Sequence, residues 1–135
     1  MSNPPVSIRP ITPEDWLVWE RMRYALWPGE DEEHGEVIHG FFAGQTVDPE
    51  HVLVAETQEA IVGFAELSIR RDLPELPGKR VGYVEGLYVC EPMRHSGIAR
   101  ALLRESRMWA REQGCESFAS DRVDRVILDT RYPEN

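Results

Sequence analysis

The sequence has little that would set it outside the ordinary globular class. Its two cysteines, Cys90 and Cys115, form no Cys-x-x-Cys pair. That arrangement implies neither a disulfide framework nor a thiolate zinc site, and both read as small buried residues beside apolar runs. No apolar run approaches the roughly 18–20 residues that span a bilayer. Met1-Ser2-Asn3-Pro4-Pro5 has no basic stretch leading into an apolar one, so no signal peptide is read and a cytoplasmic location is expected. Internal repeats and low-complexity tracts are missing. Positive charge is scarce, with 15 basic side chains against 24 acidic ones and a net charge of −9. Such a chain suits neither nucleic acid nor an anionic membrane; it suits a polycation better, or simply solubility. The four histidines, His34, His39, His51 and His95, lack metal-like spacing, and His34 and His39 do not share one helix face, so no metal site is expected. What remains, in 135 residues, is 41% hydrophobic and 29% charged, the make-up of one domain over residues 1–135.

Periodicity orders that domain. Val6–Arg9 alternates as a short strand. Thr12 caps a helix with Pro13 in its first position and acids in its first turn. Trp16, Trp19, Arg23 and Leu26 recur at helical spacing, which reads both tryptophans as core, and Pro28-Gly29 stops the run. Glu30–Glu33 opens a second helix with Val37, Ile38, Phe41 and Phe42 on its apolar face, ended by Gly44. His51–Thr57 and Ala60–Ile69 make a hairpin, and Arg80–Cys90 reads as a central strand. Gly97–Gln113 reads as a helix whose face carries Ile98, Leu102, Glu105 and Trp109, with Ala101 and Met108 beside them. Gly114 suits a left-handed helix end, and Glu116–Ser120 is a further strand. The order predicts an α/β chain with a mixed sheet, ending in a parallel strand–helix–strand unit. Residues 122–131 read as either strand or short helix, which leaves the edge of the last strand uncovered.

The chemistry is concentrated in Leu87-Tyr88-Val89-Cys90-Glu91-Pro92-Met93-Arg94-His95-Ser96-Gly97-Ile98-Ala99, a strand, a turn and a helix start. Backbone N–H groups around such a turn, with the helix dipole, bind phosphate. Gly97 allows close approach and Arg94 adds charge. Neither a Gly-x-Gly-x-x-Gly fingerprint nor a Gly-Lys-Ser/Thr loop is present. Taken alone, one glycine turn is equally an ordinary strand–helix connection.

Arg94-x-x-Gly97-x-Ala99, with Val89 before it in a strand and Arg100-Ala101-Leu102-Leu103 after it, resembles the acetyl-CoA signature of GNAT N-acetyltransferases, Arg/Gln-x-x-Gly-x-Gly/Ala. Pro92 stands one place later than the family's usual proline. Leu26-Trp27-Pro28-Gly29, Ser68-Ile69-Arg70-Arg71-Asp72, Val84–Val89 and Gly114–Asp121 extend the resemblance to aminoglycoside 6′-N-acetyltransferases, over roughly residues 6 to 121.

The resemblance implies the GNAT acyl-CoA N-acyltransferase fold, lacking its C-terminal helix and strand. The family continues beyond Asp121 with an Asn where this chain has Val126, and with a Gly-Phe turn that does not follow here. Tyr132 aligns with no motif. By the same resemblance Leu87, Tyr88 and Val89 hold the acetyl and pantetheine portion of acetyl-CoA, the co-substrate. Arg94, His95, Ser96, Gly97, Ile98 and Ala99 cradle the pyrophosphate. Glu85 is the catalytic residue that accepts the amine proton, through water or directly, or an anchor for the ammonium, Asp121 binds the cationic acceptor, and Trp27 lines the acceptor side. The bland readings are an exposed strand residue, a turn residue and a capping aromatic. The implied function is direct transfer of an acetyl group to the 6′-amine of an aminoglycoside, conferring antibiotic resistance. The alternatives are an acetyltransferase for another small amine and a non-catalytic CoA-binding protein. A homodimer, covering the open sheet edge, is expected.

Overall fold

The computed structural model describes residues 5–29, 31–45, 48–120 and 127–129. Strand β1 (Ser7–Pro10) leads through a one-turn 3-10 helix, Pro13–Asp15, into α1 (Trp16–Leu26) and α2 (Asp31–Phe42). Three strands follow, β2 (His51–Glu56), β3 (Ile61–Arg70) and β4 (Val81–Val89). A second 3-10 turn, Glu91–Met93, opens into α3 (Ile98–Glu112), and β5 (Ser117–Ser120) and β6 (Ile127–Asp129) complete the described chain. The sheet runs β1-β2-β3-β4-β5-β6. Every neighbouring pair is antiparallel except β4 and β5, which are parallel and joined through α3.

The two faces of the sheet hold separate cores. Leu53, Ala55, Ala65 and Leu67 pack with Ile98, Leu102 and Ala110 of α3. Their neighbours Val52, Val54 and Phe64 point the other way, to Trp19 and Met22 of α1 and Ile38 of α2. With both faces covered, β3 is buried at eight successive positions, so its sequence reads as an apolar run rather than an alternation.

Two helix-face expectations are corrected. Trp19 is fully buried, but Trp16 is 50% exposed at the start of α1, one turn before the face that meets the sheet. On α3 the buried line is Ile98, Ala101, Leu102, Ser106 and Ala110, which leaves Met108 51% exposed. The segment read as strand or helix is strand where it is described. The β5 edge, expected to be open, carries β6 in the register Ser117↔Asp129, Phe118↔Leu128, Ala119↔Ile127. Val126 and Tyr132 lie outside the described residues.

One irregularity shapes the centre of the sheet. Between β3 and β4 the register runs Ser68↔Tyr83 and Leu67↔Val84, then jumps to Glu66↔Gly86. Glu85 is therefore the extra residue of a β-bulge. The bulge reverses the alternation of β4. Gly82 and Val84 face α3 before it, and Leu87 and Val89 face α3 after it. Gly86 is thereby turned toward α1.

Candidate active site

The site is built along β4 and the turn that leaves it. Cys90 donates its N–H to Val62 O at 2.8 Å. Alternate residues of an antiparallel strand point their N–H groups to opposite sides. Tyr88 thus turns its N–H toward β3, while Leu87 and Val89 turn theirs away. Among the described residues, pairing with β5 ends at Val84↔Ser120, which leaves a gap in the pairing among them on this second side of Leu87–Val89. Of the three residues assigned to the acyl chain, Leu87 and Val89 offer backbone donors to the gap. Tyr88 instead contributes its ring, which lies near Phe64 on the α1 side.

The gap leads to the turn before α3. His95 has φ 66 and Gly97 has φ 88, both in the left-handed region. Left-handed residues set among right-handed or extended ones draw successive N–H groups to one side, and the first N–H groups of α3 have no intrahelical acceptor. The result is a concave set of donors at the positive end of a helix dipole. Arg94 is exposed; its Nε donates to Val89 O at 2.8 Å and its guanidinium lies 5.7 Å from the Tyr88 ring. It ties the turn to the strand as well as bringing charge. Ser96 Oγ donates to Met93 O within the same turn. Ile98 is buried against Leu102 and its neighbours in the α3 core, and Ala99 packs beside it, so these two anchor the helix start. A Cβ on Gly97 would meet nothing within 4 Å, which leaves the mouth of the turn open.

Midway along the strand stands Glu85. Arg70 donates to it twice, Nε to Oε2 at 2.9 Å and Nη2 to Oε1 at 2.8 Å. The Arg70 guanidinium also lies 4.3 Å from the centre of the Tyr83 ring. Glu85 holds Arg70 above its already high ordinary pKa. The next residue, Gly86, is covered by Trp27, whose Cη2 would be 2.4 Å from a Cβ placed there. No side chain fits between the indole and the strand. The bulge thus sets Trp27 over the residue next to Glu85. Asp121 lies outside the described residues; Ser120, just before it, pairs with Val84, one residue from Glu85. Of the acidic run Glu30–Glu33, Glu30 is likewise outside them, and 31–33 form the first turn of α2, where acids suit the helix dipole.

Sequence reasoning missed a buried polar group beneath Trp27. Glu66 is 2% exposed and is the cross-strand partner of Gly86. Arg23 Nη1 donates to Glu66 Oε2, and Trp19 Nε1 donates to the same oxygen at 2.9 Å. Burial pushes the Glu66 carboxyl up, and Arg23 and Trp19 pull it back down. The available signal was Arg23, a cation on an otherwise apolar helical stripe. Ser68 Oγ, on the same face of β3, is buried with no hydrogen-bond partner among the described residues. No cluster of three His, Cys, Asp or Glu able to hold a metal occurs among them either. His51 stacks on Trp109 of α3 at 5.1 Å, away from the site, and burial lowers its pKa.

Comparison with known proteins places this geometry. Residues 14–126 match the model of the Acetyltransferase (GNAT) family. An aminoglycoside N(6′)-acetyltransferase type 1 from Klebsiella aerogenes is 40% identical over 116 residues, 84% of this chain and 76% of the relative. Aminoglycoside N-acetyltransferase AAC(6′)-Iy in complex with CoA superposes with a TM-score of 0.78 at 27% identity, covering 88% of this chain and 78% of that one. The same enzyme with the bisubstrate analogue CoA-S-monomethyl-acetylneamine gives 0.77 at 27% identity, covering 87% and 79%. With a left-handed turn feeding α3, a side of β4 unpaired among the described residues and these matches, the chain belongs to the GNAT acetyltransferase family.

Proposed function

We propose that the protein transfers the acetyl group of acetyl-CoA to the 6′-amine of an aminoglycoside, by direct attack with both substrates bound. The observation that carries this reading is the run of one strand, Glu85–Val89, from an acidic bulge beside the glycine that an indole covers to a left-handed turn that opens a helix. At about 3.3 Å per residue Glu85 and Val89 are some 13 Å apart, which keeps the acid well clear of the turn that follows the strand. The turn at Arg94–Ala99 fits the pyrophosphate, and the outward N–H groups of Leu87 and Val89 fit the thioester. The amine nitrogen attacks the thioester carbon, the C–N bond forms, the C–S bond breaks, and CoA leaves as thiolate. The N–H of Val89 meets the developing oxyanion, a contact worth about 3 kcal/mol in comparable sites. Glu85 receives the amine proton directly or through water, and Trp27 and Asp121 bound the acceptor. Relatives named for aminoglycosides support that acceptor, as does a net charge of −9, which favours polycations over nucleic acid.

The test is thiol release from acetyl-CoA with kanamycin, tobramycin, spermidine or no acceptor. Release with the two aminoglycosides alone is expected. Release with spermidine alone moves the acceptor to another amine, and no release with acetyl-CoA still binding leaves a CoA-binding protein without turnover.

The finer setting belongs to the same reading. No helix among the described residues is long and apolar enough to cross a membrane. Work in the cytoplasm, where acetyl-CoA is available, is proposed. A homodimer is proposed as well, supported by the exposed Trp16 and Leu17 and by an apolar groove of about 510 Å³ between α1 and α2 that includes Trp16, Ile38 and Phe42. Light scattering is expected to give twice the chain mass; a monomer at all concentrations refutes the dimer.

A further inference from the structure

Of three polar side chains buried under the sheet face, two meet Trp27 and the third holds one of those two in place. His34 is fully buried, and its Nδ1 lies 3.0 Å from Arg23 Nε. An arginine Nε–H only donates, so Nδ1 accepts, and the neutral ring carries its proton on Nε2. Nε2 stands 2.9 Å from Trp27 O, a group that only accepts, so it donates there. One tautomer satisfies both contacts. Trp27 N–H donates to Arg23 O at 2.8 Å, and the Arg23 guanidinium lies 4.8 Å from the Trp27 ring. Glu66 fixes Arg23 from below, and its own strand partner is Gly86, the residue that the indole covers.

Burying an Arg–Glu pair with a histidine is costly compared with apolar packing of equal volume, so such a group calls for a role beyond filling space. Trp19 Nε1 braces Glu66 from α1 and the Tyr24 ring meets His34 edge-on at 4.8 Å, while the remaining polar contacts of His34 and Arg23 end on the backbone or ring of Trp27. We propose that His34, backed by the Arg23–Glu66 pair, is a positioning residue that holds the Trp27 indole over Gly86 and so sets the acceptor side of the site. The inference rests on the reading of Trp27 as an acceptor wall.

Two variants separate positioning from mere stability. His34→Asn keeps an oxygen near the Nδ1 position for Arg23 but cannot reach Trp27 O. His34→Gln carries an amide N–H to the Nε2 position. In steady-state kinetics with kanamycin, His34→Asn should raise the acceptor KM about tenfold, the size of one lost buried hydrogen bond, with the acetyl-CoA KM within about twofold. His34→Gln should restore the acceptor KM, and Trp27→Ala should raise it at least as much as His34→Asn. Arg23→Lys gives a second arm should the asparagine variant fail to fold. It keeps a cation at Glu66 but loses the donor to His34 and the planar group over the indole, and it must show the same split. An unchanged acceptor KM in His34→Asn or, failing that, Arg23→Lys, with a raised one in Trp27→Ala, overturns the positioning role and leaves the acceptor reading intact. An unchanged value in Trp27→Ala overturns the acceptor wall itself. Equal rises in both KM values mark general loosening and also overturn the proposal.

Discussion

Replacing Glu85 by glutamine should lower kcat by about a hundredfold with an aminoglycoside acceptor, the lower range for loss of a general base, and leave the acetyl-CoA KM within about twofold. Glutamine keeps the shape and one acceptor for Arg70 and removes only the charge and the basicity. The arrangement at the bulge makes the expectation specific. Arg70 holds both carboxylate oxygens, so an incoming ammonium meets a site already filled by a guanidinium. The pair is bidentate and its side chains are only 35% and 18% exposed, so opening it has a cost that the several charges of a bound polycation must offset. A polycationic acceptor in the gap replaces one positive partner with another, and the carboxylate then faces the amine that must lose its proton. If Glu85 only anchors the ammonium, the glutamine variant raises the acceptor KM and spares kcat. Unchanged activity removes Glu85 from the mechanism.

The bulge that makes Glu85 available is not legible in the sequence. Leu87, Tyr88 and Val89 read as one even strand. The extra residue at Glu85 appears only when β4 is laid against β3, because a bulge is a mismatch between two segments and neither records it alone. Arg70 belongs to the same class of fact, since sequence spacing does not pair it with Glu85. Order of elements was legible where one segment suffices. Pro28-Gly29 ends α1, Gly114 ends α3, and the strands β2 to β5 fall within a residue or two of where their apolar runs place them. Faces were less so. Trp16 and Trp19 share a helical stripe, yet only Trp19 reaches the sheet, because α1 meets it from its second turn onward. Met108 reads as lying beside the apolar face of α3, while the helix turns Ser106 and Ala110 inward instead. The buried Glu66 was hidden by the apolar run of β3, whose period carries no mark that one inward position is charged.

The turn that follows β4 is the place where a single methyl-bearing backbone should cost most for cofactor. Gly97 has φ 88, and the space around it is empty to 4 Å. A Cβ there meets no neighbour, so the first effect of a valine falls on the backbone. A β-branched residue in the left-handed region costs about 1–2 kcal/mol or more, and the chain relieves that cost by rotating out of the conformation that aims the N–H groups together. The donors then have to be re-formed when the pyrophosphate binds. Gly97→Val should therefore raise the acetyl-CoA KM about ten- to a hundredfold, because each 1.4 kcal/mol is a factor of ten, and leave the acceptor KM near its original value. The split is opposite to that expected at Trp27, and measuring both KM values in both variants places the two substrates at different points along one strand. His95 sharpens the contrast. It takes φ 66 in the same turn as a non-glycine residue, and so already bears strain that Gly97 avoids. Two strained residues in a four-residue turn leave little room to rearrange, which is why the valine at 97 is expected to act on phosphate binding rather than be absorbed. An unchanged acetyl-CoA KM in Gly97→Val would mean that the phosphates are held elsewhere than by this turn.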